Sequence, residues 1–238
     1  MSLSAQNSAG TAAANPPPLA YTGRVPNTVD DLSQYNPNRP DAIEAIWQPQ
    51  YDYQSYPTSG QTQLSFFQVQ QGQNGKTYAD TNMTLGGQFP APTAFLCTAI
   101  MVFFFPNYAG APSTVATAAT VNANVNDVVA VYHSGWFEFT IGSKVYLRDA
   151  PLGKFPPNVG IGGLQAYGIS QYDQGAASVN QVSTDVAQAI GRYYEITPLL
   201  IPMSQNFVVT ANWPTDVTIA HTGRIGVCLD GFYYRQSQ

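Results

Sequence analysis

Charge is what this sequence has least of. Only 10% of its 238 residues are charged, 9 basic against 14 acidic, for a formal net charge of −5. Such a field repels phosphate and anionic lipid, which excludes a basic nucleic-acid-binding surface. Two cysteines, Cys97 and Cys228, sit in apolar runs without metal-ligand spacing, and read as buried thiols. There are only two histidines, His133 and His221, and neither belongs to an H-x-x-H or H-E-x-x-H pattern, so no zinc centre and no cofactor is expected. The opening MSLSAQNSAGTAAANPPP has neither a basic n-region nor an apolar h-region, so no secretory signal peptide is expected. The longest apolar run, Ala94 to Phe105 between Pro92 and Pro106, falls short of the ~20 residues that a membrane-spanning helix needs.

What remains is neutral polarity from Asn, Gln, Ser and Thr, with 20 Gly, 18 Pro and 15 Tyr. That mixture favours strands joined by turns, and an aromatic content of 13% excludes a wholly disordered chain. A surface of amides and hydroxyls is cheaply desolvated against a neighbouring subunit, so the composition points to assembly.

Residues 1–60 differ from the rest. Pro16-Pro17-Pro18, then Pro26, Pro37, Pro40, Pro49 and Pro57, alternate with Tyr21, Tyr35, Tyr51, Tyr53 and Tyr56. Proline at this density denies ladder hydrogen bonds and favours extended polyproline-like runs, so the segment reads as an N-terminal arm. Its aromatic side chains, with Trp47, are costly to leave in water, and Tyr21, Tyr35, Trp47, Tyr51, Tyr53 and Tyr56 are the candidate inter-subunit contacts. Arg24 and Arg39 stand against Asp30, Asp31, Asp41, Glu44 and Asp52, a net of −3 that does not suit a genome-binding tail. A short helix is expected at Asp41–Trp47, capped by Asp41.

Residues 61–238 read as an antiparallel β-sandwich. Strands are expected at Thr62–Gln70, Phe95–Phe105, Val128–His133, Trp136–Ile141, Lys144–Arg148, Tyr193–Thr197, Asn206–Trp213, Val217–Ala220 and Arg224–Arg235. The continuous apolar run in the second suits a strand covered on both sides. Ser134-Gly135 and Gly142-Ser143 are hairpin dipeptides, and Asp230-Gly231 marks a bulge or tight turn. Ser183–Gly191 alone looks helical, while 106–126 and 149–181 read as long loops.

Catalytic constellations are weak. His133, Ser134 and Asp127 have the residue types of a hydrolase triad without a G-x-S-x-G elbow. Gly160-Ile161-Gly162-Gly163 lacks the Gly-Lys-Ser/Thr ending of a phosphate loop. Glu138 and Glu195 lie in apparent strands, where spacing alone cannot set them opposite each other as a glycosidase requires. Asn82-Met83-Thr84 is a glycosylation sequon. Exposed Tyr and Trp beside Asn, Gln and Asp could form a sugar platform, so a carbohydrate-binding or host-adhesion β-sandwich is the alternative, although the aromatics are spread along the whole chain.

Four stretches, Arg192-Tyr193-Tyr194-Glu195-Ile196-Thr197-Pro198, Ile201-Pro202-Met203-Ser204-Gln205-Asn206-Phe207, Asn212-Trp213-Pro214 and Leu229-Asp230-Gly231-Phe232-Tyr233-Tyr234-Arg235, resemble β-sandwich virion proteins of bacteriophages. So does the block Gly86-Gly87-Gln88-Phe89-Pro90-Ala91-Pro92 and the segment Ile141-Gly142-Ser143-Lys144-Val145-Tyr146-Leu147. The resemblance implies an all-β, jelly-roll-like sandwich with little helix, acting as a capsid, minor capsid or head-decoration protein. It would be a structural protein without enzymatic activity, located in the virion. Its partners would be copies of itself, as a trimer or other ring, and other capsid proteins, with no direct nucleic-acid binding. One jelly roll suits the length better than two.

Overall fold

The computed structural model describes residues 44–106, 118–155, 167–174, 177–184 and 194–235. In chain order the strands are β1 (Glu44–Trp47), β2 (Gln50–Tyr56), β3 (Gln63–Phe66), β4 (Ala94–Phe105), β5 (Trp136–Ile141) and β6 (Lys144–Pro151), followed by β7 (Tyr167–Gln174), β8 (Ala177–Thr184), β9 (Tyr194–Ile201), β10 (Phe207–Asn212) and β11 (Gly223–Arg235). A helix, α1 (Ala118–Ser134), lies between β4 and β5.

Every strand pairing is antiparallel. The larger sheet runs β1–β11–β4–β9, with β2 on the same long strand β11 as β1: β2 pairs with Gly223–Leu229 and β1 with Phe232–Arg235. The second sheet runs β3–β10–β5–β6, and β7–β8 form a separate hairpin.

Side chains alternate across a strand, so each sheet has two chemically distinct faces. In β5, Phe137, Phe139 and Ile141 turn inward opposite Ala211, Val209 and Phe207 of β10. From the larger sheet, Tyr56, Phe95, Ile100, Val102, Phe104, Ile225 and Val227 join the same core, so the two sheets face each other across one apolar layer. Phe89 ties them together at one end, with ring centroids 5.5 Å from Phe95 and 5.4 Å from Phe207.

The outer faces differ. On the smaller sheet the outward positions include Ser65, Glu138, Thr140 and Thr210. On the larger sheet they carry a second apolar cluster, Met101, Phe103 and Cys228, with Tyr51, Tyr53 and Phe105 against it. The β4 run is therefore apolar on both sides, as its unbroken sequence indicates. Its parity shifts at a bulge between Cys97 and Ala99, and that of β11 at Asp230/Gly231. A Cβ on Gly231 would lie 1.9 Å from the Leu96 carbonyl oxygen, so this close approach needs glycine. Gly142, at φ 60, opens the two-residue turn from β5 to β6.

Helix α1 closes one end of the core with Val125, Val128, Val131 and Tyr132, spaced for one helical face. Tyr132 donates its hydroxyl to the Val102 carbonyl at 2.7 Å, and the Trp213 indole donates to the Val131 carbonyl at 3.0 Å.

Five expectations need correction. Residues 118–134, expected as loop and strand, are helix, because tertiary packing of one face outweighs the β propensity of its valines. The helix expected at Asp41–Trp47 is strand from Glu44, its backbone paired to the open edge of β11, which a two-turn helix could not match. With β2, it places Glu44–Tyr56 inside the larger sheet, so this part of the 1–60 segment is not a separate arm. Residues 149–181 are not one loop: β6 runs to Pro151, a 3-10 turn buries Leu152, and a hairpin follows. Val217–Ala220 is an irregular connection. Ser183 and Thr184 end β8, and the rest of the helix expected at 183–191 lies outside the described residues, as do residues 1–43.

Candidate contact surface

The six candidate contact residues fall into separate places. Tyr21 and Tyr35 lie outside the described residues. Tyr56 is 0% exposed: its hydroxyl donates to the Val217 carbonyl at 2.9 Å, and its ring meets Trp213 edge-on at 5.2 Å. It is a core residue, so its part in the contact proposal is corrected. An aromatic on the inward parity of a sheet edge is taken up by its own chain.

Tyr51 and Tyr53 share the outward face of β2. Tyr53 leans on Phe103 and Phe105, and the Arg224 guanidinium lies 4.3 Å above its ring. That stacking is a cation–π contact fixed by the ion pair from Arg224 to Asp80 at 2.8 Å. Gly226 makes it possible, because a Cβ there would lie 2.1 Å from the Tyr53 ring. Trp47 is 65% exposed, paired across the ladder with Phe232, and its indole donates to Asp230 Oδ1 at 2.6 Å. Of the four that are described, it is the most exposed.

No pattern in the sequence marks Asp52 apart from the other acids of the 1–60 segment. Its carboxylate is 0% exposed and accepts hydrogen bonds from the Phe67 amide at 2.8 Å, from Gln54 Nε2 at 3.2 Å and from Lys76 Nζ. Burial pushes its pKa above the usual 3.8, against the opposing pull of Lys76. Phe67 sits at φ 66, a costly backbone for a bulky residue, and is held there by this bond and by its ring against Phe207. The knot fastens the stretch after β3 to β2. Asn82 adds to it, accepting from the Tyr51 amide at 3.0 Å and donating to the Pro49 carbonyl at 2.7 Å, so the sequon amide is already engaged.

The catalytic candidates do not assemble. Asp127 accepts from the Ala220 amide at 2.9 Å, Ser134 donates to the Ala130 carbonyl one turn back, and His133 is exposed. Glu138 belongs to the smaller sheet, opposite Thr210, and Glu195 to the larger, opposite Ala99. His221 has a buried Nδ1 without a hydrogen-bond partner among the described residues. Residues 160–163 lie outside the described residues. Cys97 points into the core and Cys228 to the outer face, so they do not pair. Burial raises both thiol pKa values, that of Cys228 to about 12. Among the described residues no group of three or more His, Cys, Asp or Glu is arranged to hold a metal, and no helix is long and apolar enough to cross a membrane.

No family model, curated protein or solved structure matches this chain.

A concavity lies where the free edges of the two sheets meet. It encloses about 460 Å³ between the β5–β6 turn and β9, and is lined by Tyr146, Pro198, Leu199, Leu200, Pro202 and Gln205. Tyr146 is 47% exposed on β6. Such a shallow apolar trough, rimmed by amide and ammonium donors, suits an extended chain better than a reaction.

Proposed function

We propose that this chain is a structural virion protein of a bacteriophage, a capsid or head-decorating subunit folded as a jelly roll. The observation that carries this reading is strand order. With β1 and β2 counted together as the first strand and the β7–β8 hairpin as an insertion, the larger sheet runs first, eighth, third, sixth. The smaller runs second, seventh, fourth, fifth. Two Greek keys wound into facing sheets produce that order, as in the jelly rolls of viral shells and lectins.

Fold alone does not choose among those uses. The choice of a shell subunit is supported by the scarcity of charge, by a larger sheet that is apolar on both faces, and by the exposed Trp47–Phe232 pair. Neutral surfaces of this kind lose little on desolvation against copies of the same chain. Among the described residues the buried thiols and scattered carboxylates form no reacting centre, so no catalysis is proposed.

Native mass spectrometry of the full chain tests the reading. A defined ring or larger assembly at micromolar concentration is expected, and electron microscopy of virions with labelled antibody should place it on the shell. A chain that stays single across that range and binds glycans on an array would overturn it in favour of an adhesion module.

A further inference from the structure

We propose that the trough between β6 and β9 is the seat of the N-terminal segment of a neighbouring copy, residues 16–35. This rests on the assembly reading above and names the contact that would make the assembly. Three observations carry it.

The first is the lining. Tyr146, Pro198 and Pro202 give the flat, rigid apolar surface against which proline-rich segments pack, and Gln205 supplies amide donors and an acceptor at the rim. The stretch Pro16-Pro17-Pro18-Leu19-Ala20-Tyr21 has the matching composition. Recognition of a stiff proline segment costs little ordering entropy.

Charge is the second. Among the described residues Lys76, Arg224 and Arg235 are taken up in ion pairs and Lys154 lies 5.0 Å from the centre of the Tyr194 ring. Among the described residues Lys144 and Arg148 have no ion pair; both are exposed on β6, and Lys144 lines the trough itself. Among the six basic residues described, two cations without an ion pair on one edge strand are a distinctive feature. Asp30-Asp31 follows the proline stretch within the proposed segment and supplies the opposite sign.

The third is position. Residues 1–43 precede Glu44, which enters β1 beside Arg235 with an ion pair at 2.7 Å. β1 lies on one border of the larger sheet and β9 on the other. Proline-rich spacers extend about 3.1 Å per residue and resist tight reversal, and Pro37 and Pro40 stand between the segment and Glu44. This favours delivery to an adjacent subunit over return to the chain's own far edge. Edge strands β6 and β9 would thereby be covered in the assembly, which removes an aggregation hazard.

The test uses the full-length chain. A charge reversal, Lys144→Glu with Arg148→Glu, should weaken the assembly on the order of tenfold in dissociation constant, read by light scattering across a dilution series. Adding Asp30→Lys and Asp31→Lys to that variant should restore it, a rescue that a folding defect would not allow. In parallel, p-benzoylphenylalanine at position 146 in unlabelled chain, reassembled with isotope-labelled chain and irradiated, should give cross-links to labelled peptides within residues 16–35. An assembly of normal mass that ignores the reversal, weakens without rescue, or cross-links only within one chain or outside that segment would overturn this inference and leave the assembly reading standing. A chain that remains single under all conditions would overturn both.

Discussion

Removing the charge from Lys76 should expose how much the fold depends on the Asp52 knot. Asp52 is fully buried, and among the described residues Lys76 is its only ion-pair partner, with a side chain only 10% exposed. Lys76→Met keeps most of the aliphatic stem and deletes the ammonium. The carboxylate would then remain in the interior with uncharged hydrogen-bond partners, the Phe67 amide and Gln54 among them. Leaving one member of a buried ion pair unpaired typically costs about 3–5 kcal/mol. For a chain of this size each kcal/mol moves the melting point by about 2–4 °C, so a drop on the order of 10 °C is expected at pH 7. The sign of the pH dependence follows from the raised pKa. Because Asp52 binds its proton more tightly folded than unfolded, stability rises as pH falls through the folded pKa and gains nothing more below the unfolded value of 3.8. Loss of Lys76 raises the folded pKa further, so the gap between variant and parent should narrow on acidification from pH 7 to pH 4.5. Adding Asp52→Asn to Lys76→Met should recover more than half of the loss. A thermal melt at pH 7 measures the drop in melting point, and urea denaturation followed by tryptophan fluorescence at the two pH values measures the free-energy gaps. A loss under about 1 kcal/mol at pH 7, or a gap that does not change with pH, would refute the claim that the pair is electrostatically buried.

Three further outcomes follow from the packing. Gly231→Ala should be severely destabilising, by more than about 3 kcal/mol, since the new methyl meets the Leu96 carbonyl in the middle of the larger sheet; a soluble variant with an unchanged melting curve would contradict the bulge geometry. Tyr132→Phe should cost about 1–2 kcal/mol by removing the bond to the Val102 carbonyl that joins α1 to β4, checked by denaturant midpoint at constant slope. Both thiols should resist a thiol-specific reagent at pH 8 in the native state and react fully in denaturant, because at a pKa of about 12 the Cys228 thiolate fraction is on the order of 10⁻⁴; rapid native labelling would show that the outer cluster opens.

The strands were legible wherever alternation or an unbroken apolar run reported burial directly. Trp136–Ile141 read correctly because Phe137, Phe139 and Ile141 all point to one core, and Gly142-Ser143 and Asp230-Gly231 read correctly because glycine marks backbone that other residues resist. Helix α1 was hidden by local composition. The run Val128-Val129-Ala130-Val131-Tyr132 has a strong strand preference, and its helical spacing becomes visible only over the longer window that includes Val125. That window also holds no Gly or Pro between Ser113 and Ser134, a signal of uninterrupted helix that was available in the sequence. Asp52 and Lys76 were not legible as a pair, because the contact spans 24 positions and depends on the turn at Phe67.

The same limit explains the misassignment of Tyr56 and points to where a contact surface has to be sought. Tyr51, Tyr53 and Tyr56 are equivalent by composition, yet a strand separates them by parity: Tyr51 and Tyr53 share the outer face and Tyr56 the inner. An aromatic on the outward parity of β2 is still not a free surface, since Phe103, Phe105 and Arg224 already hold Tyr53. What stays open is at the edges, where strand parity places neither face in a core. Trp47 on the β1 edge and Tyr146 on the β6 edge are large rings left in water at opposite borders of the two-sheet unit. Truncating them separately discriminates a ring of subunits, which uses two different borders in every contact, from a two-fold dimer, which uses one patch twice. In a ring, Trp47→Ala and Tyr146→Ala should each lower the assembled mass, and a mixture of the two variants should reassemble only in part, whereas in a two-fold pair one of the substitutions should have no effect on mass.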